Sequence, residues 1–363
     1  TTDELRNVLL AFRDRDPNGN GNQDEISMFG QYSGGGENII HTIINSFLYY
    51  QHVDLTLDAS GRNVIAPFTE PAFRKALVYL HTLYTDGVLA ASTFTVDRQA
   101  FRATLNATPS VVGITSAGSV SNWPGAGQQD NNANYREMAP ILPPFTGPDG
   151  ISYTPYYEHQ PAICGFIASR SKVPDLAFKV LDSFYQEDIS IISRFGEEGV
   201  DWSRKPEDLA KTTNDFVEAG LYPGLSLVIL QDIWIRPAKK HWGSVNPRYA
   251  ALDQGNTVGN LENPFDGRYF SSTHESLNMK YYTPRHPEYL LPYLKYNIDD
   301  TLKIAEPKTN VSDYVKQAIA EFVTGVQNID SDSQWNSYLR ELDNMGLRVW
   351  LNAAQTTYNR QRR

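Results

Sequence analysis

The sequence is poor in cysteine and contains no apolar run long enough to cross a membrane. Its single cysteine, Cys164, cannot form a disulfide within the chain, and we expect it to pack as a small hydrophobic side chain. A membrane-spanning helix needs about 20 consecutive apolar residues, and no segment of the sequence reaches that length. The cysteine count alone does not determine the compartment, because secreted proteins can lack disulfides.

Basic charge is also scarce. The 363 residues include 32 Lys and Arg against 42 Asp and Glu, which gives a formal net charge of -10. Nucleic-acid binding requires a basic surface that neutralises phosphates, so this balance argues against nucleic acid as a partner.

Catalytic motifs are missing as well. The sequence has no Gly-x-Ser-x-Gly nucleophile elbow and no P-loop, and its seven histidines lack the spacing of a metal site. The adjacent acids Glu197-Glu198 and Asp299-Asp300 could in principle serve a glycosidase, but neighbouring acids are more often solvated surface. We therefore predict no catalytic residue. A secreted glycoside-active enzyme with a calcium-stabilised domain stays open as an alternative.

The pattern of elements favours an α/β fold in more than one lobe, because the length exceeds what one core usually sustains. Thr1 and Glu4 form a capping box for a first helix, and Trp335 and Trp350 fall on the apolar stripes of late helices. The first predicted helix has about three turns and leads into the loop that begins at Asp16. The other predicted helices cover 39–48, 71–86, 97–106, 175–186, a segment near 224–240, 311–324, 332–346 and 349–360. The predicted strands cover 25–30, 110–115 and one or two segments within 153–169, with a hairpin in 49–66.

The most specific motif is a loop rich in oxygen-bearing side chains. Its candidate cation ligands are Asp16, Asn18, Asn20, Asn22, Asp24 and Glu25. Alternating oxygen donors with a glycine at Gly21 suit Ca²⁺, which takes many oxygens from a sharply folded loop. The twelfth position of the EF-hand pattern is Ser27 instead of Glu, so Glu25 or Asp24 would have to replace that ligand. The alternative is a solvated Asn/Gly turn.

Aromatic residues in polar loops are the candidate binding groups. Gln31-Tyr32 and Trp123 each follow a predicted strand, where α/β sheets place ligands, and Tyr156 and His159 lie in a third aromatic-polar cluster. A sugar ring presents C–H faces that stack on aromatic rings, and hydroxyls that need amide or imidazole partners. The alternative for each residue is a partly buried aromatic with a packing role.

The order of helix, Asp-rich loop and strand resembles the extracellular solute-binding proteins of bacterial ABC importers, of the oligosaccharide-binding lipoprotein type. Further similarity lies in 1–5, 195–202, 322–325 and 338–360. The resemblance implies a periplasmic-binding-protein-like (type II) two-lobe α/β fold, with most of the first lobe absent from this chain. It also implies that the loop from Asp16 to Glu25 is a structural Ca²⁺ site. It places Gln31, Tyr32 and Trp123 at the sugar cleft, Tyr156 and His159 near the hinge, and Trp234 and Trp242 in a variable region.

Three chain segments follow from that resemblance. Residues 1–150 would form a second-lobe segment with the calcium loop, 151–215 the hinge crossing and the remaining first-lobe segment, and 216–363 the return to the second lobe and the C-terminal helices. The implied function is a non-enzymatic substrate-binding subunit that holds an oligosaccharide between two lobes and delivers it to ABC permease subunits. We expect a monomer at the bacterial cell surface, attached through a lipid anchor outside this chain. A binder of a non-sugar solute on the same fold stays open.

Overall fold

The computed structural model describes residues 1–117, 144–156, 165–209, 226–230, 242, 247–249 and 281–362. The chain divides into two compact units. The first unit contains Thr1–Trp123, Leu142–His159 and Tyr281–Arg363, and the second contains Pro124–Ile141 and Gln160–Lys280. The chain therefore changes unit at 123/124, 141/142, 159/160 and 280/281, whereas the segment boundaries predicted from the sequence lie at 150 and 215. The assignment of those segments to lobes stays a prediction.

The first unit begins with a capped helix and a parallel pair of strands. Helix α1 (Thr2–Asp14) starts with the predicted capping box, in which the Thr1 hydroxyl accepts from the Glu4 amide and the Glu4 carboxylate accepts from the chain terminus. Strand β1 (Ile26–Phe29) pairs in parallel with β4 (Val112–Thr115), so that Phe29 lies opposite Thr115. These elements confirm the predicted helix and both predicted strands.

The other elements of the first unit follow in the predicted order. They are α2 (Ile39–Ile44), β2 (Thr56–Leu57), β3 (Val64–Ile65), α3 (Pro71–Thr85), α4 (Arg98–Leu105), α8 (Ile298–Thr324), α9 (Asp332–Asn344) and α10 (Leu347–Gln361). Strands β2 and β3 form the predicted hairpin. Helix α2 is shorter than predicted, because the Asn45 side chain donates to the carbonyls of His41 and Tyr50 and turns the chain.

The core of the first unit joins its sheet to its helices. Helix α8 packs against both α3 and α10, and Phe73, Phe322 and Trp350 are fully or almost fully buried there. Trp335 is also buried, so the prediction that both late tryptophans belong to the core is confirmed. In the part of the chain that the structure describes, no helix is long and apolar enough to span a membrane.

The described part of the second unit contains shorter elements. They are α5 (Pro174–Ser183), α6 (Glu187–Phe195), β5 (Trp202–Ser203), α7 (Pro206–Leu209) and β6 (Val228–Ile229). Ile191, Trp202 and Leu227 form a small buried cluster. The predicted helix over 175–186 is present as α5, but Leu176 and Val180 on its predicted buried face are exposed.

Two secondary-structure predictions are wrong in the described residues. Residues 226–230 are not helical, because Val228 and Ile229 pair with Ser203 and Trp202 as an antiparallel strand. Residues 151–156 and 165–168 form no strand. The backbone of 153–154 instead hydrogen-bonds to Asn45 and Arg285, which are remote in sequence. The local sequence pattern that predicted a strand therefore did not determine the backbone partners of this segment.

Candidate functional site

Three extended segments of the first unit end at the same edge. Strands β1 and β4 run parallel, and Leu89 joins them through a parallel bridge to Met28. The segments that leave this edge contain Gln31-Tyr32 after β1 and Ser116 after β4. In open α/β sheets, ligands bind outside the carboxyl ends of the strands. Gln31 and Tyr32 therefore lie at the edge of the sheet from which their ligand role was predicted.

Tyr32 is held firmly at this edge. Its hydroxyl donates to the backbone carbonyl of Lys316 at 2.8 Å, and its ring lies 5.2 Å from that of Phe94 at an angle of 57°. Burial raises the pKa of the Tyr32 phenol. The Tyr32 hydroxyl and part of its ring surface thus already contact other residues of the protein. The surface of Tyr32 that remains for a ligand is therefore smaller than the sequence suggested.

Gln31 is buried next to Tyr32 but makes few contacts. Its backbone amide donates to the carbonyl of Glu37 at 2.9 Å, which fixes the loop. Its side-chain amide donates to the Ser33 hydroxyl at the long distance of 3.4 Å. The Gln31 side chain therefore retains hydrogen-bonding capacity.

Tyr156 forms a stacked pair that sequence reasoning missed. Its ring lies 4.0 Å from the ring of His286 with an interplanar angle of 15°. The Tyr156 carbonyl accepts a hydrogen bond from the Tyr49 hydroxyl at 2.5 Å. Burial raises the pKa of Tyr49 to about 12, whereas burial lowers the pKa of His286. One face of the Tyr156 ring is thus covered by a ring that is neutral at pH 7.

The segments on either side of this stack are joined by several hydrogen bonds. The Thr154 amide donates to the Arg285 carbonyl at 3.1 Å, and the Thr154 hydroxyl donates to the Tyr282 carbonyl at 2.9 Å. The Arg285 guanidinium donates to the Ser152 hydroxyl at 3.2 Å. Both segments lie within the first unit, close to the points where the chain leaves it and returns. These bonds hold Tyr156 in place.

The other four predicted ligand residues lie outside the described part of the first unit. Trp242 belongs to the second unit, where it is 64% exposed and its ring lies 6.1 Å from that of Phe184. Trp123, His159 and Trp234 lie outside the described residues. The ligand roles of all seven residues stay predictions.

The loop after α1 folds around its own side-chain oxygens. The Asp16 carboxylate accepts from the amides of Asn20, at 3.1 Å, and Gly21, at 2.7 Å. The Asn20 amide also donates to the side-chain oxygen of Asn18, and the Asn22 amide donates to that of Asn20. Both asparagines donate their side-chain amides to Asp24. Gly21 has φ +82°, a conformation that glycine adopts without strain. The side chains of Asp16, Asn18, Asn20 and Asp24 are thus hydrogen-bonded within one compact turn.

Glu25 is the member of this loop whose carboxylate lacks a partner among the described residues. Both of its carboxylate oxygens are buried without a hydrogen-bond partner among the described residues. The hydroxyl of Ser27, two positions further along the strand, is also buried and unpaired there. Burying an ionised carboxylate costs free energy unless it is paired or coordinates a metal. Among the described residues, no three His, Cys, Asp or Glu side chains are arranged as a metal site, so any site would need the Asn oxygens as well.

A cavity of about 630 Å³ lies elsewhere in the first unit. It opens between the start of α1 and the side of α3, with Asp3, Arg74 and Tyr79 among its lining residues. Arg74 bonds to Asp332, and the Tyr79 hydroxyl donates to the Thr2 carbonyl. None of the predicted binding residues lines this cavity.

Sequence reasoning missed Ser116 and His286. Ser116 directly follows a strand that the sequence predicted, so the strand-end rule that selected Tyr32 could have selected it too. His286 lies in an irregular segment without periodicity, and no local signal relates it to Tyr156, 130 positions earlier. Only the tertiary structure pairs these two rings.

No family model matches the chain. Its sequence is similar to the fructooligosaccharide ABC transporter substrate-binding protein FusA of Streptococcus pneumoniae serotype 4. The two are 24% identical over 375 residues, which cover 99% of this chain and 62% of that protein. The predicted resemblance to ABC-importer solute-binding proteins is thereby confirmed. The chain spans less than two thirds of the length of this relative.

Solved structures show the same fold. The structure of S. pneumoniae FusA with kestose matches with a TM-score of 0.70 and 21% identity, covering 100% of this chain and 68% of the other. FusA with an EF-hand mutation and fructo-nystose gives a TM-score of 0.69, also at 21% identity, with coverages of 100% and 68%. The alginate-binding protein AlgQ2 without calcium gives 0.62 at 19% identity, with coverages of 98% and 67%. The chain therefore has the predicted type II periplasmic-binding-protein-like fold.

Proposed function

We propose that this chain is the substrate-binding component of a bacterial ABC importer and binds an oligosaccharide without acting on it chemically. The observation that carries this proposal is sequence similarity over almost the whole chain to a fructooligosaccharide-binding protein. Uncharged polar groups at the carboxyl edge of the sheet, at Gln31 and Ser116, suit a ligand rich in hydroxyls. The ring of Tyr156 would supply a stacking surface.

Calorimetry with an oligosaccharide panel tests the proposal. Kestose, a maltooligosaccharide and an alginate oligosaccharide would be titrated into the full-length protein. We expect saturable binding of at least one sugar, and loss of a stacking ring in Tyr156→Ala should raise its Kd about ten-fold, equivalent to roughly 1.4 kcal/mol. The control is Tyr293→Ala, which removes an aromatic side chain that is 62% exposed and absent from the predicted site.

The same samples distinguish binding from hydrolysis. A substrate-binding protein returns the sugar unchanged, whereas a glycoside-active enzyme shortens it. Mass spectrometry of each sugar after long incubation with the protein should show only the starting material. Binding of none of the sugars would contradict the proposal, and appearance of shorter products would favour the enzyme.

We also propose that the loop from Asp16 to Glu25 binds Ca²⁺ as a structural ion. The buried Glu25 carboxylate supports this proposal, because a divalent cation would supply the partner that it lacks among the described residues. Asp16, Asp24 and the side-chain oxygens of Asn18 and Asn20 surround the same turn, and Asn22 would contribute its backbone carbonyl. The ion would connect the end of α1 to the start of β1.

Thermal unfolding with and without a chelator tests the metal. An ion present at 100 times its Kd stabilises the folded state by about 2.7 kcal/mol, so chelation should lower the Tm of the parent by several degrees. Glu25→Gln keeps the shape but removes the charge, and its Tm should respond little to the chelator. Glu306→Gln, on the exposed surface of α8, is the matched control and should respond as the parent does. Equal chelator shifts in all three proteins would contradict a role for Glu25.

Cell-surface location, a lipid anchor outside this chain and docking to permease subunits complete the proposal. They rest on the similarity to an ABC transporter substrate-binding protein. Detection of the natural protein in the membrane-associated fraction of intact cells, and its release by mild surface proteolysis, would test the location. Recovery only in the cell interior would contradict it.

A further inference from the structure

Helix α5 of the second unit has an apolar face that lies open in the described structure. Val173 at its N-cap and Leu176 and Val180 within it are spaced three and four positions apart, so they lie on one side of the helix. Each of the three side chains is more than half exposed, and no residue of α5 is buried. We call these three residues the α5 stripe. Helix α3 of the first unit, by contrast, buries five of its residues.

A helix as short as α5 depends on packing for its stability. Isolated helices shorter than about 12 residues are marginal in water, and most helical stability in proteins comes from burial of an apolar face. Helix α5 has 10 residues. A contiguous apolar surface that stays exposed on a soluble protein commonly marks a contact with another structure. The α5 stripe therefore indicates a contact surface.

The segment 165–168 next to α5 also lacks partners. A Cβ at Gly165 would lie 3.1 Å from Cδ2 of Leu181, so this segment passes directly beside the helix. Phe166 is 86% exposed. Within the described part of the chain, the only backbone hydrogen bond of the segment is the one it accepts from the Ser171 amide. The sequence predicts a strand here, and a strand needs a neighbouring strand to pair its amides and carbonyls.

A single β-sheet would satisfy both features. Its edge strand would pair with the backbone of 165–168, because an unpaired strand readily adds to the edge of a sheet. Helix α5 follows this segment directly, and in α/β folds the helix after a strand packs its apolar side on the face of the same sheet. The described strands of the second unit, β5 and β6, pair with each other and not with this segment.

The comparison with FusA indicates where such a sheet would come from. The match covers 62% of that protein, so more than a third of its length has no counterpart in this chain. A segment of that size is long enough to form several strands. A second copy of this chain is a less suitable partner, because a net charge of -10 on each copy favours repulsion.

We propose that the α5 stripe and the segment 165–168 form an interface for a β-sheet that belongs to the part of the natural protein outside this chain. Residues 165–168 pair with the edge strand of that sheet, and Val173, Leu176 and Val180 pack on its face. This interface is independent of the proposed sugar binding, because it rests on exposed apolar side chains and unpaired backbone.

The substitution Leu176→Ser tests the stripe in two settings, the full-length natural protein and this chain alone. In the natural protein it should lower the Tm by several degrees, because a large apolar side chain is lost from a buried contact. In this chain the same substitution should change the Tm by less than about 1 °C, as expected for an exposed residue.

Phe178→Ser is the matched control. Phe178 is 58% exposed against 60% for Leu176, but two positions along the helix place it on the opposite side of α5. Its Tm should stay close to that of the parent in both settings.

Hydrogen exchange of the two unsubstituted proteins tests the strand and does not depend on the folding of a variant. The amides of residues 166–168 should exchange at least about ten-fold more slowly in the natural protein than in this chain, because strand pairing protects them.

Each of the other outcomes contradicts the proposal. A lower Tm of Leu176→Ser in this chain alone would show that residues of this chain already cover the stripe. Equal Tm of parent and Leu176→Ser in the natural protein, or equal exchange of 166–168 in both proteins, would show that no sheet covers this surface. A dimer of this chain that Leu176→Ser converts to a monomer would assign the stripe to a second copy instead.

Discussion

His41 shows how a single side chain is constrained by its surroundings. Its ring contacts the rings of Tyr50 at 5.2 Å and His52 at 4.9 Å, and its Nε2 lies 3.3 Å from the Asn38 amide. Burial above all, together with the nearby His52 and Lys316, lowers the pKa of His41 to about 3. Asn38 also donates to the Tyr32 carbonyl, so the neutral imidazole lies next to the loop of the candidate site.

This geometry predicts that acidification destabilises the protein. In the unfolded chain, His41 gains a proton near pH 6.5, whereas in the folded state it stays neutral down to about pH 3. The unfolded state therefore binds more protons as the pH falls below 6.5, and the free energy of unfolding should fall by up to about 1.4 kcal/mol per pH unit. Urea titrations at pH 7.5, 6.5, 5.5 and 5 would measure this slope, above the range where most carboxylates titrate.

The control for this prediction is His41→Gln, which cannot titrate. Its free energy of unfolding should decrease less steeply than that of the parent between pH 6.5 and pH 5. Parallel pH profiles of the parent and this variant would contradict the assignment to His41.

The turn between the last two helices depends on a single glycine. Helix α9 ends at Asn344 and α10 begins at Leu347, and Gly346 between them has φ +93°. A Cβ at Gly346 would lie 3.0 Å from the Cγ of Pro307, a proline within α8. The turn thus depends both on the left-handed conformation of one residue and on the close approach of another helix.

Gly346→Ala is therefore expected to destabilise the first unit by about 1–3 kcal/mol, because a left-handed alanine is strained and its methyl group meets Pro307. Chemical denaturation followed by tryptophan fluorescence is a suitable measurement, since Trp350 in α10 is buried. Gly35→Ala is the control, because no atom lies within 4 Å of its added Cβ, and its stability should stay close to that of the parent. Equal stability of both variants would refute the prediction.

At the scale of the molecule, two compact units share one chain and an acidic balance of charge. The first unit contains the large core, the parallel strands and the loop with Glu25, whereas the described part of the second unit has a small cluster around Trp202. Similarity to FusA extends over both units, since it covers 99% of the chain. A candidate function must therefore account for the whole chain and not for one unit alone.

The protein is expected to be a monomer, because its net charge of -10 favours repulsion between copies. Light scattering coupled to size-exclusion chromatography should give a mass near 40.9 kDa for this chain at neutral pH. The measurement is repeated at low and at moderate salt as a control. Salt screens the repulsion between copies, so moderate salt would reveal any association that this repulsion suppresses. A mass near twice that value at both salt concentrations would overturn the prediction.

The sequence alone was sufficient to predict features that depend on neighbouring residues. The capping box of Thr1 and Glu4, the helix that follows it and the burial of Trp350 all come from local spacing, because a helix brings residues three and four positions apart to one face. The compact fold of the loop after α1 also follows from its local Asp, Asn and Gly residues. The overall resemblance to solute-binding proteins was likewise visible in short motifs.

Features that depend on partners far away in the sequence could be identified only from the tertiary structure. The strand at Val228 and the stacking of Tyr156 on His286 each involve contacts that no local pattern encodes. The same holds for the hydroxyl of Tyr32, which the carbonyl of Lys316 occupies across 284 positions of sequence. Local periodicity determines which face of an element is apolar, but only the packing of elements determines which polar groups find a partner and which stay available to a ligand.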